Sequence, residues 1–271
     1  ASGILVSNQG ANTMAADIGP DDALYVGTWG CGTEIPAQVV RITDDGRQSI
    51  YVDGLRGQVR DLAFAPDGGL FIAVHLAGWG NRLYYVPPGG GDAAEIPDAG
   101  KYGGTNTLAV HPSSGHLFAA AHGGASVAEF TPDGPVSEHP LWFPKEVWDL
   151  IIDTAPDGTL YAYASEAARA QTGPVVERWL LRLDIESEAT EIVAQFDRQG
   201  CCVMGNMCVD AQGTLWWLIN PEFRIYRVEP DGTMKLFARN LPIDPGAVAV
   251  DSQGDVYFTS PSGIYRIYRE S

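Results

Sequence analysis

Lysine is nearly missing from this chain: Lys101, Lys145 and Lys235 are the only three among 271 residues. With 34 acidic against 17 basic residues the formal net charge is −17. Such a field repels phosphate backbones and anionic lipid surfaces, and no lysine cluster offsets it, so nucleic acid is not an expected partner. Cysteine is scarce as well. Cys31, Cys201, Cys202 and Cys208 are too few for a disulfide framework and too scattered for a four-thiolate zinc site, and free thiols are the default expectation. No apolar run approaches the roughly 18 to 20 residues that cross a bilayer, so no membrane partner is expected. No Ser-His-Asp or Cys-His spacing, glycine-rich phosphate loop or two-His zinc helix stands out. The chain starts at Ala1 without a charged-then-apolar leader, which gives the expectation of a secreted or periplasmic protein, working as a monomer.

What the chain does contain is core material cut into short pieces. Apolar residues make up 45%, including 11 Tyr, 9 Phe and 7 Trp, while 32 Gly and 18 Pro imply many turns. Sliding the sequence against itself finds a turn followed by an apolar run, six times over: residues 24–29, 70–76, 117–123, 160–166, 215–221 and 256–262. Their starts lie 46, 47, 43, 55 and 41 residues apart. A short apolar strand precedes most of these turns, as at 62–65, 108–110, 150–152, 207–209 and 248–250. A third strand follows each run, and a fourth usually follows a second Asp-Gly turn. Four antiparallel strands per repeat of about 40 to 50 residues is the arithmetic of propeller blades.

The predicted fold is therefore all-β: one domain over residues 1–271, a six-bladed β-propeller of four-stranded antiparallel blades. The sixth repeat ends after three strands, leaving an edge to be covered. Residues 4–7 (ILVS) have no other assignment and are expected to supply the fourth strand, closing the ring.

In such a blade the start of the innermost strand and the loop between the second and third strands lie on one face. That face collects Asn, Asp, Glu, His and Trp, whereas the opposite face is built from generic Pro-Asp-Gly turns. Asn and Asp oxygens converging from several blades suit a hard cation such as Ca²⁺, with Asn12, Asn106, Asp149 and Asn206 as candidate ligands. A cation there makes hydrolysis chemically reasonable. Asp149, beside the water-excluding Trp148, is the candidate acid–base group, with His75, His122 and Glu166 at equivalent positions in adjacent blades. Trp29, Trp79 and Trp148 are candidate apolar walls for a small organic ligand. The rival reading of these residues is plain: polar groups also hydrate a channel or cap strand ends, and tryptophans also pack between blades.

The repeat form apolar-Ala-Val-Asp-x-x-Gly-x-Val/Leu-Tyr/Trp, seen at 248–257 (VAVDSQGDVY) and 207–216 (MCVDAQGTLW), resembles the NHL-repeat propellers. It also resembles the six-bladed gluconolactonase, senescence-marker-protein and diisopropylfluorophosphatase group. The resemblance implies a metal held just before the innermost strands, a position occupied here by Asn12, Arg60, Asn106, Trp148, Gly205 and Gly246, with Asp61, Asp149 and Asn206 one residue later. The expected function is a metal-dependent lactone or ester hydrolase acting on a small molecule at the channel mouth. The alternatives are a non-catalytic propeller that binds a ligand or protein, and, third, a propeller lyase.

Overall fold

A computed structural model describes residues 2–6, 15–29, 36–76, 80–102, 106–120, 126–141, 143, 147–166, 176–198, 205–219, 223–229, 231–242 and 246–268. They form six antiparallel sheets, one per repeat. The first blade comprises Ala15–Ile18, Leu24–Gly27, Ala37–Ile42 and Gln48–Leu55; the second, Gln58–Phe64, Leu70–Leu76, Gly80–Val86 and Ala94–Glu95. The third comprises Thr107–Val110, Leu117–Ala120, Ser126–Thr131 and Gly134–Pro140; the fourth, Val147–Thr154, Leu160–Glu166, Val176–Asp184 and Ala189–Arg198. The fifth comprises Gly205–Val209, Leu215–Ile219, Arg224–Val228 and Met234–Ala238. The sixth contains Val248–Val250, Val256–Ser260 and Gly263–Ile267, with Ser2–Val6 running antiparallel beside the last of these, Ile4 opposite Tyr265. Each first strand touches the first strands of both neighbouring blades, so the six line a central channel.

The turns explain why these residues become hairpins. In the fifth blade the Asp210 carboxylate accepts the Gln212 and Thr214 N–H groups and the Trp216 indole N–H, each at 2.9 Å. One side chain thus closes the turn and grips the strand after it. Asp251 repeats the arrangement in the sixth blade, accepting from Gln253 N at 3.0 Å, Asp255 N at 2.8 Å and the Tyr257 hydroxyl at 3.0 Å. The Asp-x-x-Gly-x-x-aromatic spacing of the repeat is this grip written in sequence.

Sheets stacked around an axis are covered on both faces, which is why the second strands are apolar throughout instead of alternating. Leu70, Ile72 and Val74 pack toward the first blade, whereas Phe71 and Ala73 pack toward the third. Trp216 and Trp217, adjacent in sequence, fill opposite seams, one against the sixth blade and one against the fourth, and both are nearly inaccessible. Each of the six seams carries one apolar cluster. Among the described residues the seam between the sixth and first blades is one of the two thinnest, with six buried members against fifteen between the third and fourth.

That thin seam is reinforced by charge. Arg266, 7% exposed, sends Nη2 to Asp255 at 2.7 Å and Nη1 across to Asp44 of the first blade at 3.2 Å. Asp251 lies 3.6 Å from the same guanidinium, and the Tyr257 and Tyr268 rings lie 5.3 and 4.9 Å from it. Ser252 adds a second tie, its N–H and hydroxyl both donating to Asp22 at 2.9 and 2.7 Å.

Candidate functional site

The innermost strands are in register around the ring, because Ile18, Phe64, Val110, Thr154, Val209 and Val250 each pair with the first residue of their second strand. The residues just before them form one layer: Asp17, Ala63, Ala109, Asp153, Cys208 and Ala249. Two residues earlier lies a second layer: Ala15, Asp61, Thr107, Ile151, Asn206 and Ala247. Asp17 and Asp153 therefore stand in opposite blades of the ring, as do Asp61 and Asn206.

The innermost edge of each blade has backbone N–H groups with no further strand to receive them, and a buried N–H must find an acceptor. The acidic residues provide it. Asp17 Oδ2 accepts the Phe64 N–H at 2.9 Å, Asp61 Oδ2 the Leu108 N–H at 2.7 Å, and Asp153 Oδ2 the Val209 N–H at 2.6 Å. Asn206 Oδ1 makes the same contact to Val248 at 3.4 Å. Every one of these bonds runs from a blade to the next in sequence. The remaining oxygen of each Asp accepts the N–H of the following residue, Ile18, Leu62 or Thr154.

These side chains line a cavity of about 200 Å³ together with Met207 and Cys208. Burial pushes the Asp17 and Asp153 carboxyls up to about 7, against the pull of their backbone bonds. Burial drives Asp61 well above the usual carboxylate range, and the Asp153 and Asp17 charges add to it. Cys208 is a free thiol, likewise pushed up by burial and then by Asp153, Asp17 and Asp210. The sequence reading missed Asp17 and Asp153, placed Asp61 one residue past the implied ligand position, and expected Cys208 only as the free thiol that it is. The available signal was an acid inside an otherwise apolar strand, as in AADI and LIID.

At the other end of the channel, polar side chains of the second and third blades meet. His75 lies opposite both Gln58 and Asn81 in its sheet. The His75 Nδ1 and Asn81 Oδ1 atoms are 2.6 Å apart, and Asn81 Nδ2 donates to Asn106 Oδ1 at 2.8 Å. Because the Asn81 amide donates to Asn106, its oxygen is the atom facing His75. The imidazole proton is thereby assigned to Nδ1, leaving Nε2 as the basic nitrogen. Asn81 is only 5% exposed, so the relay is held rigidly. Gln58 Oε1 is buried without a hydrogen-bond partner among the described residues. Trp29 reaches this end as well, through a backbone bridge to Gln58.

The structure therefore joins two of the sequence-derived candidates, His75 and Asn106, through Asn81, which the sequence did not single out. Asn206 is placed elsewhere, lining the channel cavity one layer deeper. Asn12, Trp79 and His122 lie outside the described residues, as do the side chains of Trp148, Asp149 and Glu166. Among the described residues no three His, Cys, Asp or Glu side chains come together as a metal-holding group. Asn106 Oδ1 is engaged by Asn81, so the described donors do not by themselves make up the cation site that the resemblance implies.

No family model matches the chain, and no curated protein matches it in sequence. Solved structures do. A streptogramin B lyase superposes with a TM-score of 0.63 at 12% identity, covering 98% of this chain and 96% of its own. A gluconolactonase from Xanthomonas campestris gives 0.65 at 16%, covering 98% and 88%. A chain of a nidogen/laminin complex gives 0.65 at 16%, covering 87% and 85%. The resemblance carried by the blade motif thus extends to the whole fold: this chain is a six-bladed β-propeller of the architecture shared by those lactonase, lyase and binding propellers.

Proposed function

We propose that this propeller is a hydrolase of the lactone or ester type, working on a small organic substrate at the channel mouth beside His75, Asn81 and Asn106. The observation that carries the reading is the oriented imidazole. Asn81 and Asn106 hold His75 in one tautomer with Nε2 as the base, which is what removing a proton from an attacking water requires. The Asn106 amide still has N–H groups to donate, suited to an oxygen on which negative charge develops. Trp29, bridged to Gln58 through its backbone, would supply an apolar surface at the same end. The gluconolactonase among the structural neighbours supports this class of reaction for the fold, though not for these residues. A divalent cation such as Ca²⁺ would be held at this end by Asn12 and Asp149 and would polarise the substrate carbonyl.

The test is a panel of lactones and esters assayed with and without chelator. Turnover is expected, with His75→Ala lowering kcat by about 100-fold or more. Asn81→Ala is expected to lower kcat about tenfold and to displace the pH–rate profile, because it frees the imidazole to change tautomer. Loss of turnover on chelation would support the cation. No turnover on any member by metal-replete protein would overturn the hydrolase reading and leave a binding propeller.

A further inference from the structure

Two arginines are buried among the described residues, Arg266 at 7% exposure and Arg178 at 2%. They stand in opposite surroundings. Arg266 faces three carboxylates, whereas among the described residues no ion pair reaches Arg178, and its Nε is buried without a hydrogen-bond acceptor. A guanidinium enclosed without counter-charge is destabilising, so an acceptor from outside the chain would relieve it. Arg178 lies opposite Ser165, which follows Leu160 by five residues as His75 follows Leu70 in the second blade. Asn81 lies opposite His75, so Arg178 is the fourth blade's counterpart of Asn81, at the same end of the channel. Side chains two residues apart on a strand share a face, and Tyr163 and Leu180 pack in the seam with the fifth blade. Arg178 is thus directed at the fifth blade, as Asn81 is at the third. There Asn81 meets the Asn106 amide. Asn106 directly precedes Thr107, and the residue that precedes Asn206, in the same layer of the ring, is Gly205. Where one seam sets amide against amide, the other sets a guanidinium against a glycine, which has no side chain to accept from it.

We propose that the mouth of the seam between the fourth and fifth blades is a carboxylate-binding site, in which the Arg178 guanidinium takes the anionic end of a small organic ligand. The planar guanidinium offers parallel N–H donors that match the two oxygens of a carboxylate, and it is weakly hydrated, so it gives up little water on pairing. Ser165, 5% exposed, is its small polar neighbour in the sheet, and Ile219, opposite Gly205, is an apolar one across the seam. A net charge of −17 repels a dianion more strongly than a monoanion, which favours a carboxylate over a phosphate. Asp149 occupies the same row of the sheet beyond Ser165, which makes it the internal competitor to exclude. His75 stands two blades away, and the site holds whether or not the protein is a hydrolase.

Calorimetric titration of the full chain with benzoate, its uncharged analogue benzamide and inorganic phosphate tests this. Saturable binding of benzoate is expected, with none of benzamide and weaker binding of phosphate. At about ten times Kd, benzoate should raise the Tm by about 3 °C. Arg178→Met should weaken benzoate binding by about tenfold or more and melt no lower than the wild type, because it removes an uncompensated buried charge. If that variant melts lower or does not fold, Gly205→Asp decides. It places a carboxylate where the third blade carries Asn106, and by occupying the guanidinium from within it should abolish benzoate binding, whereas undiminished binding would refute the site. The proposal is equally overturned by a wild type that does not bind benzoate, by benzamide or phosphate binding as tightly, by undiminished binding in Arg178→Met, or by binding that appears only in Asp149→Asn.

Discussion

Arg266→Ala is expected to cost about 3–5 kcal/mol of stability, more than any substitution on the outer strands. The guanidinium is almost wholly buried and faces Asp255, Asp251 and Asp44. Of these, Asp251 is completely enclosed and already receives two backbone N–H groups and the Tyr257 hydroxyl. Removing the cation leaves two buried carboxylates uncompensated and cuts the contact from the sixth blade to the first. It also strips the cation from the two tyrosine rings, a further contribution of about 1 kcal/mol. Because that seam has a small apolar cluster, little packing remains to hold it. Urea titration of Arg266→Ala beside Arg266→Met should show a large fall in midpoint, partly restored when Asp255→Asn is added to either. A loss below about 1 kcal/mol would show that the ion cluster is incidental to the seam.

Deleting residues 1–8 should have an effect of similar size by a different route. In the structure Ser2–Val6 pairs with Gly263–Ile267, Ser2 opposite Ile267 and Gly3 opposite Arg266. Without it the last blade has three strands and an open edge beside Arg266. A drop in Tm of more than about 10 °C is expected, together with concentration-dependent association as the bare edge seeks another strand. Arg266→Ala should destabilise without that association, which separates the two effects. An unchanged melting temperature would mean that the N-terminal strand does not close the ring.

Much of the architecture was legible because the turn chemistry repeats. Gly158, for example, sits at φ +89, and a Cβ there would lie 2.7 Å from His111 Nε2. Only glycine suits that corner, and Pro-Asp-Gly announces it. The third strand of the second blade begins at Gly80 and so takes in Asn81, where the sequence shows only Gly-Asn between two apolar runs. Its role arises from contacts between three strands and a neighbouring blade, which no spacing along the chain encodes. The channel acids escaped notice for a related reason. An Asp in a strand reads as a surface residue or a cap, and its significance emerges only when six strands are arranged about an axis with their edges inward. His75 and Asn106 were accessible to sequence reasoning because each lies where a blade opens onto one face.

The polarity of the cross-blade ties bears on how the molecule assembles. Asp17, Asp61, Asp153 and Asn206 all receive an N–H from the blade that follows. On a ribosome each of these acceptors is thus made before the donor it will hold, so the second, third, fifth and sixth blades meet an acceptor already in place as the chain grows from its N-terminus. The seam between the sixth and first blades keeps this order but stretches it: the acceptor Asp44 is made first, and Arg266 must find it 222 residues upstream. Its charge gives that last encounter a range that apolar contact lacks, attracting the ends of an open ring before they touch.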